Sequence, residues 1–196
     1  MIICPVEIQK LLVRQLRDHI RITAGFIGVR SVREQRILDH SSGEISTEDA
    51  AILLRDVCQE LKNENCSFYV GTSYRHCLVW ENGKNLELTP PHDVLTQRVG
   101  NYLPEDEMLL SMQKKSYEIL KAHPLNRKRK EQGLNPANSF WFWGAGTKPI
   151  LTSFEKIYHK KGVMISAVDL LKGNCSGSRN GLQDRGRSKR RASYQL

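Results

Sequence analysis

The chain has few cysteines, and their positions fit neither a disulfide framework nor a zinc site. Five of its 196 residues are cysteine, an odd number, and no two of them form a CxxC pair. Small secreted domains carry even sets of closely spaced cysteines, and structural zinc sites use CxxC pairs. We therefore expect neither feature at Cys4, Cys58, Cys66, Cys77 or Cys175.

Long apolar runs are missing as well. No window of 18 consecutive apolar residues occurs, whereas a membrane-spanning helix needs roughly 20. The N-terminus lacks the apolar segment and cleavage site of a signal peptide. The chain is 39% hydrophobic and 26% charged, a composition that allows a packed core. We expect a soluble, cytoplasmic protein with no membrane contact, built as one domain or as one domain plus part of another.

Acidic residues are scarce near the C-terminus, so the charge is uneven. Residues 174–196 hold six basic residues and one aspartate, and their net charge of +5 is more than half of the total of +9. A basic chain first suggests nucleic acid, and a tail of this kind would bind backbone phosphate with a steep salt dependence. The rest of the chain carries only +4, an ordinary excess for a protein that handles phosphorylated metabolites. Nucleic-acid binding is therefore the least favoured hypothesis.

Local patterns predict an α/β chain with an antiparallel section in the middle. Ser46 and Asp49 have the spacing of a helix N-cap and its third residue, and Asn82–Gly83 predicts a hairpin turn. The run GVMISAVDLL is apolar almost throughout, which is typical of a strand buried on both faces in a parallel sheet. We predict helices at 46–61, 108–122 and 153–158, strands at 68–71, 77–80, 86–88 and 163–170, and loops at 89–93 and 136–146. At the N-terminus, residues 6–20 allow a helix and residues 27–32 allow a strand.

Complete catalytic signatures are absent too: there is no Ser-His-Asp signature, no GxGxxG, no P-loop and no HExxH. Two polar clusters contain candidate site residues. In RILDHSSGEIST, Asp39 and His40 favour turn chemistry beside a helix cap. In VGTSYRHCLVW, Arg75 and His76 fit either a surface hairpin or a site for phosphate or carboxylate, because guanidinium binds such groups through two parallel hydrogen bonds.

Two further clusters are weaker. In TPPHDV, His92 and Asp93 lie in a loop stiffened by two prolines, and such a pair is more often structural than catalytic. In HPLNRKRKEQG, the run of basic residues favours a solvated face, although Asn126 and Arg127 are candidates to point inward.

The segment FWFWGAGTKP is the most unusual part of the chain. Trp141 and Trp143 flank a phenylalanine, and Gly144 and Gly146 follow directly. Ordinary packing of a hydrophobic core does not require so specific a combination.

Taken in order, six motifs resemble one family. They are RILDHSSGEISTEDA, YVGTSYRHCLVW, LTPPHDV, HPLNRKRKEQGLNPAN, FWFWGAGTKP and ISAVDLLKG. The chain resembles the archaeal-type, cofactor-independent (2,3-bisphosphoglycerate-independent) phosphoglycerate mutases of the alkaline phosphatase superfamily, from about Arg36 to Gly173. Chance similarity would not reproduce so many motifs in the same order.

The resemblance implies a fold and a reaction. Residues 36–138 would form an α+β insert of antiparallel strands and helices, able to fold alone, and residues 139–173 would return into the parallel core sheet of an alkaline-phosphatase-like enzyme. Residues 1–35 match poorly. The family reaction interconverts 3-phosphoglycerate and 2-phosphoglycerate through a phosphoserine at a site with two divalent metal ions.

The resemblance also implies which side chains hold the substrate. On the substrate side we expect Arg75, His76, His92 and Asp93. The supporting positions would be Asp39, His40, Asn126, Arg127, Trp143 and Gly144.

The family's nucleophilic serine and metal ligands lie outside the matched region, so we assign this chain no catalytic residue, no metal ligand and no bound cofactor. Positioning alone supplies neither the covalent step nor the charge neutralisation. We predict that the isolated chain is inactive. The alternative is a non-catalytic module that binds a phosphorylated metabolite, and the oligomeric state is open.

The basic tail, residues 174–196, is expected to be disordered or frameshifted. Permissible codons for this segment, read one base out of register, yield an alternating apolar string that continues LLKG. The DNA sequence tests this hypothesis, which fails if the actual codons do not yield that string.

Overall fold

The computed structural model describes residues 19–30, 35–61, 63–147, 152–165 and 181–183. Contacts divide the chain into two units, Met1–Lys148 and Pro149–Leu196, which are described separately. Most of the helix allowed at 6–20, residues 166–170 of the predicted strand and most of the basic tail lie outside the described residues. Of the parts that are described, residues 19 and 20 belong to a strand, and residues 181–183 of the tail form another. No helix in the described part of the chain is both long and apolar enough to cross a membrane.

The first unit is organised around one long strand. This strand, β1, runs for 12 residues from His19 to Arg30. It is antiparallel to β2 (Arg36–Asp39), β4 (Arg75–Glu81) and β5 (Ser139–Gly146), and β3 (Cys66–Tyr69) pairs with the far side of β4. Because β1 contacts three other strands, it is the centre of the five-stranded sheet.

Each face of the sheet carries an apolar cluster. Alternation along β1 directs Ile22, Ala24 and Phe26 to one face, where they join the larger apolar core. That core includes side chains from helices α1 (Thr47–Glu60) and α2 (Glu107–Lys121). A smaller cluster on the other face contains Ile27, Val29, Ile37, Val94 and Trp141.

Side-chain caps begin both long helices, and the cap at Ser46 was predicted. The Ser46 hydroxyl accepts a hydrogen bond from the Asp49 N–H at 3.1 Å, which satisfies one of the free donors of the first turn of α1. Asp106 does the same for α2, accepting from Met108 and Leu109. The helix α3, Pro124–Glu131, was not predicted, because its basic sequence carries little apolar periodicity.

Two predicted elements were wrong. Residues 86–88 do not form a strand, since β1 and β3 already occupy the two edges of β4; Leu86 and Leu88 pack against the core instead. The predicted loop at 136–146 contains β5, because its aromatic side chains alternate between the two faces while its backbone pairs with β1.

The sheet runs across both of the predicted insert boundaries, at residues 36 and 138. β1 precedes the first boundary and β5 follows the second, yet the two strands pair directly. The structure therefore has no break at either position, and the division of this chain into insert and core stays a prediction.

The second unit contains a helix and a parallel strand pair. Helix α4 (Phe154–Tyr158) lies within the helix predicted at 153–158, and Ser153 is its N-cap. Strand β6 (Val163–Ile165) is parallel to β7 (Gly181–Gln183). Val163, which follows the exposed residues Lys160 and Lys161, is itself 66% exposed. The expectation of a strand buried on both faces therefore fails at the first residue of that strand.

The fold class, mixed α/β with an antiparallel sheet and helices, is confirmed.

Candidate functional site

One face of the sheet carries two arginines and two tryptophans. Residues that lie directly opposite in neighbouring antiparallel strands project to the same face. Between β1 and β4, the partners are Arg21 and Val79, Thr23 and Cys77, and Gly25 and Arg75. Between β1 and β5, Thr23 lies opposite Trp143 and Gly25 lies opposite Trp141. We call the set Arg21, Thr23, Arg75, Cys77, Trp141 and Trp143 the arginine face.

Aromatic and imidazole rings gather at the Arg75 end of this face. The Arg75 guanidinium carbon lies 5.4 Å from the centroid of the Tyr74 ring, within the range of a cation–π contact. The His40 ring is 5.7 Å from Tyr74, and the His92 ring is 6.3 Å from His40. Three of the residues expected from the sequence, Arg75, His40 and His92, therefore belong to one series of contacts that passes through Tyr74.

The loop that carries His92 and Asp93 is held firmly although their side chains are exposed. Its 3₁₀ turn spans Pro91–Val94, and His92 Nε2 lies 3.7 Å from Asp93 Oδ1. The Trp141 indole N–H donates a 2.7 Å hydrogen bond to the Thr89 carbonyl just before the turn. The loop thus presents an imidazole–carboxylate pair to solvent from an anchored backbone.

His76 lies on the opposite face from Arg75. It is 3% exposed and accepts a 3.2 Å hydrogen bond from the Gly71 N–H through Nδ1. Burial lowers the pKa of His76 to about 3, so the ring is neutral at physiological pH. Because successive side chains of a strand alternate between faces, the structure does not place His76 where it could contact a ligand beside Arg75.

Asp39 organises a turn. Its carboxylate accepts hydrogen bonds from the backbone N–H groups of Ser41 and Gly43 and from the Asn135 side chain. Although burial raises the pKa of Asp39, the hydrogen bonds from Ser41, Asn135 and Gly43 together hold it below its usual value. This matches turn chemistry rather than contact with a ligand.

Asn126 and Arg127 also have structural contacts. Buried Asn126 donates to the carbonyls of Leu120 and Ala137 and accepts from the Ala137 N–H, each at 2.9 Å. Exposed Arg127 donates to the Ala122 carbonyl at 3.1 Å. Neither residue lies on the arginine face.

Trp143 and Gly144 shape the wall of the arginine face. A Cβ atom at Gly25 would lie 2.5 Å from Trp143 Cη2, so the indole can pack this closely against β1 only because residue 25 is a glycine. Gly144 has φ +60°, a conformation that glycine adopts without steric cost, and the register of β5 shifts beside it.

Two arginines were not predicted from the sequence. Arg21 lies on the arginine face, where burial lowers its pKa. The sequence signal that could have indicated this position is the strand-like alternation of Arg21 with the apolar residues Ile20 and Ile22. Arg129 belongs to the run predicted to be solvated. It is 4% exposed and donates to the carbonyls of Ser42 and Asn135, because α3 packs Arg129 inward together with Asn126.

Within the described residues, no group of three or more His, Cys, Asp or Glu side chains is arranged to hold a metal ion. These residues therefore do not fit the metal pair that the resemblance implies, and no chemical step is assigned to a metal here.

Two solved structures share this fold. A cofactor-independent phosphoglycerate mutase from Thermoplasma acidophilum matches with a TM-score of 0.54 and 21% identity, over 93% of this chain and 51% of that one. The PH0037 protein from Pyrococcus horikoshii matches with a TM-score of 0.56 and 19% identity, over 89% and 41% of the two chains. The mixed α/β class of the fold is thus one already seen in these proteins.

The sequence decides the family. The family model described as 2,3-bisphosphoglycerate-independent phosphoglycerate mutase matches residues 17–126, so the match begins before β1 rather than at Arg36. The chain belongs to the 2,3-bisphosphoglycerate-independent phosphoglycerate mutase family.

Curated relatives agree. A protein of that name from Methanosarcina barkeri is 42% identical over 174 residues, which are 86% of this chain and 43% of the relative. One from Methanosarcina mazei is 48% identical over 142 residues, 70% of this chain and 36% of the relative. The chain spans less than half the length of these relatives.

Proposed function

We propose that this chain is the substrate-side part of a phosphoglycerate mutase and that the Arg75 end of its arginine face binds phosphoglycerate. The observation that carries the proposal is the grouping of Arg75 and Tyr74 with His40 and His92. The names of the relatives support the substrate class.

The chemistry of the group suits an anionic ligand. Phosphoglycerate presents a phosphate and a carboxylate, and a guanidinium binds either group through two parallel hydrogen bonds. The Tyr74 ring orients the Arg75 guanidinium from one side. His92, beside Asp93, can donate a hydrogen bond from the exposed side of the same region.

Catalysis needs more than this chain supplies. For the whole enzyme we propose interconversion of 3-phosphoglycerate and 2-phosphoglycerate, with the nucleophile and the divalent metal ions contributed from outside the described residues. The isolated chain should then bind substrate without isomerising it, since positioning does not replace the covalent step.

Calorimetry on the 196-residue chain tests the binding claim. We expect 3-phosphoglycerate to bind, and Arg75→Ala to weaken binding about ten- to hundredfold, the usual cost of losing a hydrogen-bonded charged group. Arg55→Ala is the matched control, because it removes the same charge from an exposed position on α1 that is not among the candidate site residues. Equal affinities for the two variants would contradict the proposal.

An activity assay tests the second claim. Purified chain, free of host mutase and supplied with divalent metal, should not convert 3-phosphoglycerate to 2-phosphoglycerate. Turnover by that sample would refute the assignment of the nucleophile to another part of the enzyme.

A further inference from the structure

His76 is a buried histidine with one nitrogen paired and the other unpaired. Nδ1 accepts the Gly71 N–H at 3.2 Å, whereas Nε2 is buried and has no hydrogen-bond partner among the described residues. A buried polar atom without a partner is destabilising. An apolar side chain would therefore be more stabilising at this position, unless the hydrogen bond that Nδ1 accepts has a role that a hydrocarbon cannot fill.

The paired nitrogen holds one end of a tight turn. A Cβ atom at Gly71 would lie 2.1 Å from the Arg75 carbonyl oxygen, so the backbone of the two residues is in close approach. Ser73 adopts φ 55° in between, and the Arg75 N–H donates to the Thr72 carbonyl at 3.1 Å. The hydrogen bond from Gly71 to His76 connects the start of this turn to the strand that leaves it.

Other contacts hold the middle and the far end of the turn. The Ser73 N–H donates to the Thr47 hydroxyl at 3.0 Å, and the Ser73 hydroxyl donates to the Ile45 carbonyl at 2.7 Å. The Tyr74 carbonyl accepts from the Phe26 N–H at 3.0 Å. With His76 at the Gly71 end, the turn is anchored along its whole length, up to the half-buried residues Tyr74 and Arg75.

We propose that His76 is a positioning residue, whose Nδ1 holds the Gly71–Arg75 turn so that Tyr74 and Arg75 face an anionic ligand. This inference rests on the proposed function, in which the ligand is phosphoglycerate. His76 does not touch the ligand. Its ring lies in the core, at 74° to the Phe26 ring with centroids 5.1 Å apart, and it acts only through the backbone of the turn.

Two substitutions separate this role from simple packing. Asn places its Oδ1 close to the position of histidine Nδ1, so His76→Asn keeps an acceptor for Gly71, while His76→Leu keeps apolar volume and removes the acceptor. We expect His76→Leu to weaken 3-phosphoglycerate binding about tenfold in calorimetry. That factor corresponds to the free energy of about one hydrogen bond. Amide exchange at Gly71, measured by NMR, should become faster in the same variant. His76→Asn should stay close to the parent in both measurements.

Arg75→Ala distinguishes the failure of this inference from the failure of the proposed function. If Arg75→Ala leaves the affinity for 3-phosphoglycerate unchanged, the proposed function fails. If Arg75→Ala weakens binding but His76→Leu does not, only the role of His76 is overturned. Equal losses in His76→Leu and His76→Asn, with unchanged exchange at Gly71, would also overturn it.

The unsubstituted chain provides a measurement that does not depend on a variant folding. Nitrogen-15 NMR should find His76 protonated on Nε2, with Nδ1 coupled to the Gly71 amide across the hydrogen bond. Protonation on Nδ1 would contradict the proposal.

Discussion

At the residue scale, the close approach of Gly71 and Arg75 leaves no room for a side chain. We expect Gly71→Ala to lower the free energy of unfolding by more than about 2 kcal/mol, since a backbone oxygen 2.1 Å from the new Cβ has to move. Urea denaturation measures the change. Gly100→Ala is the control, because a Cβ there meets nothing within 4 Å, and it should cost much less. Equal costs at the two glycines would contradict the turn geometry.

His76 also makes stability depend on pH. Its pKa is lowered by burial from 6.5 to about 3, so between these values the unfolded chain binds a proton that the folded chain does not. The stabilisation from the neutral ring is complete above pH 6.5 and declines as the pH falls towards 3. The slope approaches about 1.4 kcal/mol per pH unit.

Urea denaturation of the parent and of His76→Asn at a series of pH values between 7 and 4 checks this, since asparagine does not titrate. We expect the variant to lose stability more slowly as the pH falls. Parallel pH curves for the two proteins would show that His76 does not titrate differently on unfolding.

At the scale of elements, Trp141 joins β5 to the loop that carries His92. Trp141→Phe keeps the aromatic ring in its cluster but removes the N–H that reaches Thr89. We expect a loss of about 1–2 kcal/mol and faster amide exchange across residues 89–94. Hydrogen-exchange mass spectrometry provides the readout. Trp143→Phe on the same strand is the control, and it should leave exchange in that loop unchanged.

For the whole molecule, the position of β1 decides which fragment folds. A fragment of residues 36–138 lacks both β1 and β5, and with them Ile22, Phe26 and Phe140 of the main core. We expect that fragment to be unfolded by circular dichroism, whereas residues 1–148 should fold cooperatively. Limited proteolysis of the full chain should leave a protected core that includes β1. A folded, protease-resistant 36–138 fragment would overturn this expectation and favour an autonomous insert.

The sequence alone determined the features that depend on near neighbours. Ser46 and Asp49 predicted the start of α1, and the order of six motifs predicted the family. Caps, periodicity and motifs involve residues only a few positions apart, so they can be recognised without knowing the fold.

The tertiary structure decided everything that depends on distant partners. It placed Arg75 and His76 on opposite faces of β4, turned the predicted loop at 136–146 into β5, and left residues 86–88 without a strand to pair with. It also buried Arg129 within a run that looks solvated. Strand pairing joins segments more than 100 residues apart here, as between β1 and β5. No local pattern contains that information, because the partner that completes a strand or a site is selected only when the chain has folded.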